Sequence, residues 1–287
     1  MVDFLTSILA NVATLALAGL VIYLVGWIKR RRMLLRFFTG QSSLLPSCNR
    51  FLIHISTLNR SPGGLSSVWE FTEARNLQDL FFSLVPGPSG NPGLFRDFMV
   101  SGLECEIQAV REGDNPDILP TNCLVVGSPM FNDAAQKYQR QLTSPVYFEP
   151  TDPANRLSAY RLHVPHERPN DDERRGVIVR ICRDGKSYFY AAGRTEYSTA
   201  GALYLLRRKW HELYKHFGAD KSFVVQVQAA SDDYRLVSEV SRSELLPSTT
   251  PAIQAVTASF DNKAGLTSAE SGAYAPPPSP PPSGSRG

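Results

Sequence analysis

A three-layer α/β domain carrying a β-hairpin, held behind one N-terminal transmembrane helix and followed by a disordered tail, is the architecture that this 287-residue sequence predicts. Three observations predict it. An uncharged apolar run fills residues 5–28, short apolar strands alternate with helical segments between residues 37 and 246, and the last forty or so residues are poor in large apolar side chains. The corresponding division is residues 1–36 as anchor and basic flank, 37–246 as the α/β domain, and 247–287 as the tail.

The anchor comes first. "LTSILANVATLALAGLVIYLVGWI", Leu5 to Ile28, holds no charge over 24 positions. At 1.5 Å per residue it spans roughly 36 Å, enough for a hydrocarbon core of about 30 Å with some tilt. Tyr23 and Trp27 stand near its far end, where amphipathic rings favour the interface. Lys29, Arg30, Arg31, Arg32 and Arg36 follow, whereas only Asp3 precedes. This asymmetry predicts a single-pass protein of the cell membrane, with the N-terminus outside and the bulk of the chain cytoplasmic. A cleaved signal peptide would carry its basic residues ahead of the apolar core, and the Ala16-Leu17-Ala18 triplet sits inside the run rather than after it.

The middle is read segment by segment. "RFLIHIST" (50–57) is a strand, and "EARNLQDLFFSLV" (73–85) places Leu77, Leu80, Phe81 and Leu84 at helical spacing. "PGPSGNP" (86–92) is a loop by composition. Strands follow at "ECEIQAV" and "NCLVVG", then a helix from Asp133 to Leu142, a short extended "SPVYFEP" and a strand in "RLSAYRLHV". "GVIVRICRDGKSYFYAAG" is a hairpin turned at Asp184-Gly185. In the long helix from Thr195 to Phe217, Leu203, Leu206, Trp210, Leu213 and Phe217 form one buried stripe. Arg207, Arg208, Lys209, Lys215 and His216 give the remaining face a basic character, which suits either solvent or a membrane surface. "SFVVQVQ" closes the series. Strands such as "CLVVG" and "FVVQV", apolar without alternation, are covered on both faces in the expected layering.

Charge and cysteines narrow the chemistry. A formal net charge of +3, dispersed beyond the N-terminal cluster, gives no basic face for nucleic acid. Cys48, Cys105, Cys123 and Cys182 are widely spaced and read as buried thiols. His163 and His166 flank Pro165 without a third ligand nearby, so neither a metal nor a resident cofactor is expected. The tail, ending "APPPSPPPSGSRG", cannot bury enough surface to order itself, and its proline run could engage an aromatic-lined groove in a partner.

Two junctions carry the candidate site. After the strand at 122–126, Gly127 supplies backbone freedom, Ser128 a hydroxyl, Pro129 a fixed turn, and Asn132 or Asp133 a cap for the next helix. Free amides there would suit an anion, but there is no P-loop lysine and no G-x-G-x-x-G, and Asp133 would repel phosphate. A plain strand-turn-helix connection accounts for the same residues. At the second junction, "AAGRTEYSTAGALYLL", Gly193 leads into Arg194, Thr195, Glu196, Tyr197, Ser198 and Thr199, then Ala200, Gly201 and Ala202. Small residues at a helix start permit close approach of either a ligand or a neighbouring strand.

"LVVGSPMFN" and "AAGRTEYSTAGA", within residues 50–230, resemble in layout the Rossmann-like nucleotide-sensing and nucleoside-processing group that includes SLOG, TIR and nucleoside deoxyribosyltransferase domains. The resemblance implies a nucleotide-like ligand held by Gly127, Ser128, Asn132, Gly193, Arg194, Ser198, Thr199 and Gly201. In the enzymes of that group a Glu serves the glycosidic carbon, and Glu196 is the best positional match, followed by Glu149. Three classes of function are open: a membrane-tethered ligand sensor that alters self-association or a partner contact, a nucleoside or dinucleotide hydrolase or transferase using Glu196, and a scaffold working through its tail and basic face. The sensor is the preferred reading.

Overall fold

The computed structural model describes residues 2–40, 49–56, 67–84, 103–110, 114, 116–129, 132–150, 160–165, 172–230 and 232–245. The expected tail at 247–287, the loop at 86–92, Cys48 and His166 lie outside the described residues. In chain order the elements are α1 (Val2–Thr39), β1 (Asn49–Ser56), α2 (Val68–Leu84), β2 (Leu103–Val110), β3 (Asn122–Val126), α3 (Asp133–Gln141), β4 (Tyr147–Pro150), β5 (Tyr160–His163), β6 (Arg175–Arg183), β7 (Lys186–Gly193), α4 (Glu196–Phe217), β8 (Phe223–Ala229) and β9 (Val237–Glu244).

Seven strands form one mixed sheet in the order β2-β1-β3-β7-β6-β8-β9, and β4 pairs with β5 in a separate ribbon. β2, β1, β3 and β7 run parallel, whereas β6, β8 and β9 are joined to them by antiparallel ladders. The parallel half follows from its connections, since each return to the sheet passes through a helix or a long segment. The antiparallel half follows from the tight turn Asp184-Gly185, where both residues take positive φ (53° and 72°) between the paired Arg183 and Lys186. β3 is buried along its whole length and β8 nearly so, as both-face coverage requires.

Alternation along the strands sorts two cores. Phe51, Ile53 and Ile55 of β1, Leu124 and Val126 of β3, and Phe189 and Ala191 of β7 face α1, α2 and α4. Leu52, Val125, Tyr188 and Tyr190 face α3 and the β4–β5 ribbon. Helices on one face and a helix plus ribbon on the other give three layers around the sheet.

α1 has two environments. Residues 11–26 are exposed all round, and none of the apolar stretch is buried, so this helix is long and apolar enough to cross a membrane. The helix does not stop at the basic cluster but continues unbroken through Thr39. There Leu34, Phe37 and Phe38 are fully buried in the domain's core. The ring of Phe38 lies 4.8 Å from Phe81, 5.1 Å from Phe189 and 5.7 Å from Phe51, while Phe37 stacks on Phe223 at 6.0 Å. Phe37 also meets Trp210 at 6.5 Å and Tyr214 at 6.4 Å, so the tip of α1 lies among the first halves of β1, β7 and β8 and the carboxyl-terminal parts of α2 and α4. Gly40 closes α1, and a Cβ there would lie 2.8 Å from the Gly185 carbonyl oxygen, so the helix end abuts the hairpin turn.

Because Phe38 fills a fully enclosed site, Phe38→Ala should lower the unfolding free energy of the detergent-solubilised chain by about 3–5 kcal/mol. Leu17→Ala, on the bare part of the same helix, should change it by less than about 0.5 kcal/mol. Denaturant unfolding followed by tryptophan fluorescence checks both.

Candidate functional site

Consecutive strands β2 and β3 lie on opposite sides of β1, so the chain leaves β1 toward α2 on one face and leaves β3 toward α3 on the other. Such a reversal of strand order opens a crevice outside the carboxyl ends of the two strands, the usual ligand position in open α/β sheets. Both junctions singled out from the sequence reach this edge. They leave neighbouring strands, and the Gly127 amide donates to the Ala191 carbonyl at 3.0 Å. They then diverge, because α3 covers one face and α4 the other.

On the α3 side, Gly127 adopts φ +99°, a conformation that L side chains rarely take. The position a Cβ would occupy is 3.6 Å from Ser56 Oγ at the end of β1, which brings the two strand ends into one spot. Ser128 is partly exposed beside it. Asn132 is buried and caps α3: its Oδ1 accepts from the Ala134 amide at 2.9 Å, and its Nδ2 donates to the Val126 carbonyl at 2.7 Å. Its polar atoms therefore hold the turn itself. Two residues before Ser56, on the same face of β1, His54 is completely buried, and neither ring nitrogen has a hydrogen-bond partner among the described residues. Burial holds its pKa down at about 4, with a small opposing pull from Glu106, so the imidazole is neutral at pH 7.

On the α4 side the second junction is tightly self-bonded. Thr195 caps α4 and forms a reciprocal capping box with Ser198. Thr199 Oγ1 accepts from the Gly193 amide at 3.0 Å. A Cβ on Gly193 would lie 2.1 Å from Ser198 Oγ, and one on Gly201 would lie 3.0 Å from the Ala229 Cβ. Close packing within the protein thus accounts for both small residues, while Arg194 is partly exposed at the start of the turn.

Glu196 is exposed and accepts a hydrogen bond from Ser67 Oγ at 2.8 Å. That bond joins the first turns of α4 and α2, and it brings in Glu70, which the sequence reading did not single out. Glu70 is buried beside Thr199 and Glu196. Burial lifts its carboxyl from the ordinary range to about 7; the Thr199 hydrogen bond opposes the rise and the Glu196 charge adds to it. Trp69 and Tyr197 lie with ring centroids 6.2 Å apart at the same helix starts. A signal for this start was present, since Ser67-Val68-Trp69-Glu70 has the spacing of a capping box. Glu149 stands apart on the β4–β5 ribbon, 2.8 Å from His163 Nε2.

The two buried titratable groups act on stability with opposite sign. Glu70 keeps its proton in the folded chain up to about pH 7, whereas the unfolded carboxyl loses it above 4.5, so folding weakens as pH rises across that window. His54 stays neutral down to about pH 4, whereas the unfolded imidazole gains a proton below 6.5, so folding weakens as pH falls across its window. Each effect is on the order of 3 kcal/mol at its limit. Between pH 4.5 and 6.5 the two slopes oppose each other in the native sequence. Glu70→Gln should leave stability rising with pH there, and His54→Leu should leave it falling. Urea unfolding of the full chain at several pH values checks this, and unchanged profiles in both variants would refute the assignment. Comparison with protein-family models, with curated proteins and with solved structures gave no match, so the function has to be read from this geometry.

Proposed function

We propose that the chain is a single-pass membrane protein whose cytoplasmic, Rossmann-like domain senses a small nucleotide-like ligand bound in the crevice between the carboxyl ends of β1 and β3. The observation that carries this reading is the buried His54, without a hydrogen-bond partner among the described residues, lying below Ser56 and Gly127 where the strand order reverses. A neutral imidazole offers one donor and one acceptor, which suits the polar edge of a nucleobase better than a phosphate. The hydroxyls of Ser56 and Ser128, at the strand ends, suit the more polar part of such a ligand.

Placement supports the membrane half of the reading. The bare apolar helix ends in a basic cluster, and the domain holds α1 at the amino ends of the parallel strands. The crevice is at their carboxyl ends. From Phe51 to Ser56 is about 17 Å of extended strand, so the tip of α1 and the crevice lie at opposite edges of the sheet.

A second reading has its own observation. Glu70, titrating near neutrality beside the ionisable Glu196, is poised for proton transfer, and flanking Trp69 and Tyr197 rings would suit a sugar or base. It makes the chain a nucleoside or dinucleotide glycosyl hydrolase or transferase, with Glu70 rather than Glu196 as the acid–base group.

Thermal unfolding of the full chain in detergent, against nucleotides, cyclic nucleotides, NAD and nucleosides, tests the proposal. A ligand at about 100 times its Kd adds roughly 2.7 kcal/mol of stability. The sensor reading predicts a shift that is lost in His54→Leu, weakened in Ser128→Ala and kept in Glu70→Gln, with the ligand recovered unchanged. Absence of a shift with every compound, or an equal shift in His54→Leu, would overturn it. Turnover abolished by Glu70→Gln would establish the enzyme instead.

A further inference from the structure

We propose that the cytoplasmic flank of α1 and the C-terminal half of α4 together form a basic surface that docks on the anionic leaflet of the bilayer. The inference rests on the membrane-spanning reading of α1 and goes beyond it, because it assigns a lipid-binding role to a face of the α/β domain itself.

Two elements distant in sequence build the surface. Lys29, Arg30 and Arg32 are exposed on α1 immediately after the bare apolar stretch. On α4, Arg208 and Lys215 are exposed at i and i+7, on the side of the helix away from its buried stripe of Leu206, Trp210, Leu213 and Phe217; exposed His216 adjoins them. The two elements meet. Phe37 of α1 lies 6.5 Å from Trp210 and 6.4 Å from Tyr214. The charges of Lys215 and Arg30 act together on His211, which stands between Arg208 and Lys215, and burial and both cations lower its pKa. Like charges gathered in this way oppose one another, and an anionic partner relieves the repulsion.

Height identifies the partner. Residues 11–26 are apolar and bare, and Trp27, with the Arg31 guanidinium 5.4 Å from its ring, marks the end of that stretch. The basic residues of α1 begin two positions later, at the level of the headgroups, and α4 joins them there through Arg30 and His211. Two other basic groups are already paired: Arg183 with Asp184 at 3.5 Å and Lys221 with Glu244 at 2.7 Å. Glu212 lies on the same stripe but pairs with Lys209 at 3.8 Å. Phosphatidylserine-type headgroups match the remaining charge, and each basic residue near such a surface multiplies docking by about fivefold.

The test uses the full chain in nanodiscs of phosphatidylcholine alone or with phosphatidylserine, with a donor dye at position 212 and an acceptor on the headgroups. Energy transfer should rise in the anionic discs, fall back at high salt, and drop to the phosphatidylcholine level in Arg208→Glu/Lys215→Glu; the milder Arg208→Gln/Lys215→Gln should lose most of the rise. Thermal unfolding confirms that each variant is folded. Transfer that ignores lipid charge in a chain resistant to alkaline extraction would overturn the docking and leave the anchor standing. Release of the chain by alkaline extraction would overturn both. A charge-dependent change seen only on adding a soluble acidic protein, without effect of phosphatidylserine, would also overturn it and assign the surface to a protein partner.

Discussion

The Arg180 guanidinium, fully buried in the sheet, stacks over Phe37 at 5.0 Å and over Phe189 at 5.7 Å. Its Nη atoms donate to the carbonyls of Gly218, at 2.9 Å, and Ala219, and to Ser187 Oγ at 3.1 Å. A charge so deeply placed is tolerated because it meets the negative end of α4, where the last carbonyls of the helix have no partners of their own. It also meets the π faces of two phenylalanines. One side chain therefore touches three things at once: the hairpin β6–β7, the end of α4, and the tip of the helix α1.

From that fastening the rest of the arrangement follows. With Phe37 and Phe38 inserted among the aromatic residues of the sheet, α1 is the apolar helix and a core element at once, and no flexible joint separates the two roles. Movement or tilt of its bare segment bears directly on β1, β7 and β8. The opposite edge is left to the strand ends. There Ser56, Gly127 and His54 gather on the α3 face, while Glu70, Thr199 and Glu196 gather on the α4 face, tied through Ser67. Glu73 completes the link between the helices by holding Arg207 at 3.1 Å and Tyr234 at 3.0 Å. The two clusters share an edge but not a face. Among the described residues, β1, β3 and β7 connect the two sides.

Much of this was legible in the chain. The helix periods, the Asp-Gly turn and the uninterrupted apolar strands identified the layering and most elements. The continuation of α1 was obscured by its basic cluster, although arginine and lysine favour helices and Leu34, Leu35 and Phe38 keep the helical spacing across it. β9 was missed because an edge strand reading "VSEVSRSE" has little apolar content to signal a sheet. α2 begins at Val68, five residues before the periodic stretch, and its first backbone bond runs from the Phe71 amide to the Ser67 carbonyl. Gly193 and Gly201 marked tight places, as glycines do. Whether a ligand or a side chain of the same protein fills such a place is decided by packing, here by Ser198 five residues on from Gly193 and by Ala229 against Gly201. Glu70 owes its environment to residues 129 positions away, where Glu196 meets Ser67, and no local pattern carries that information.

The central claim is that one helix, unbroken from the apolar stretch into the core, is both the anchor and a fixed part of the domain, with its far end about 18 Å of helix beyond Ile28. Depth-resolved quenching tests it directly: the full chain in nanodiscs, with a fluorophore at position 28 in one sample and at position 184 in another, exposed to a quencher confined to the headgroup layer. The account predicts strong quenching at 28, where the apolar stretch ends, and little at 184, beside the far end of α1. Equal quenching at both positions, or stronger quenching at 184, would contradict it.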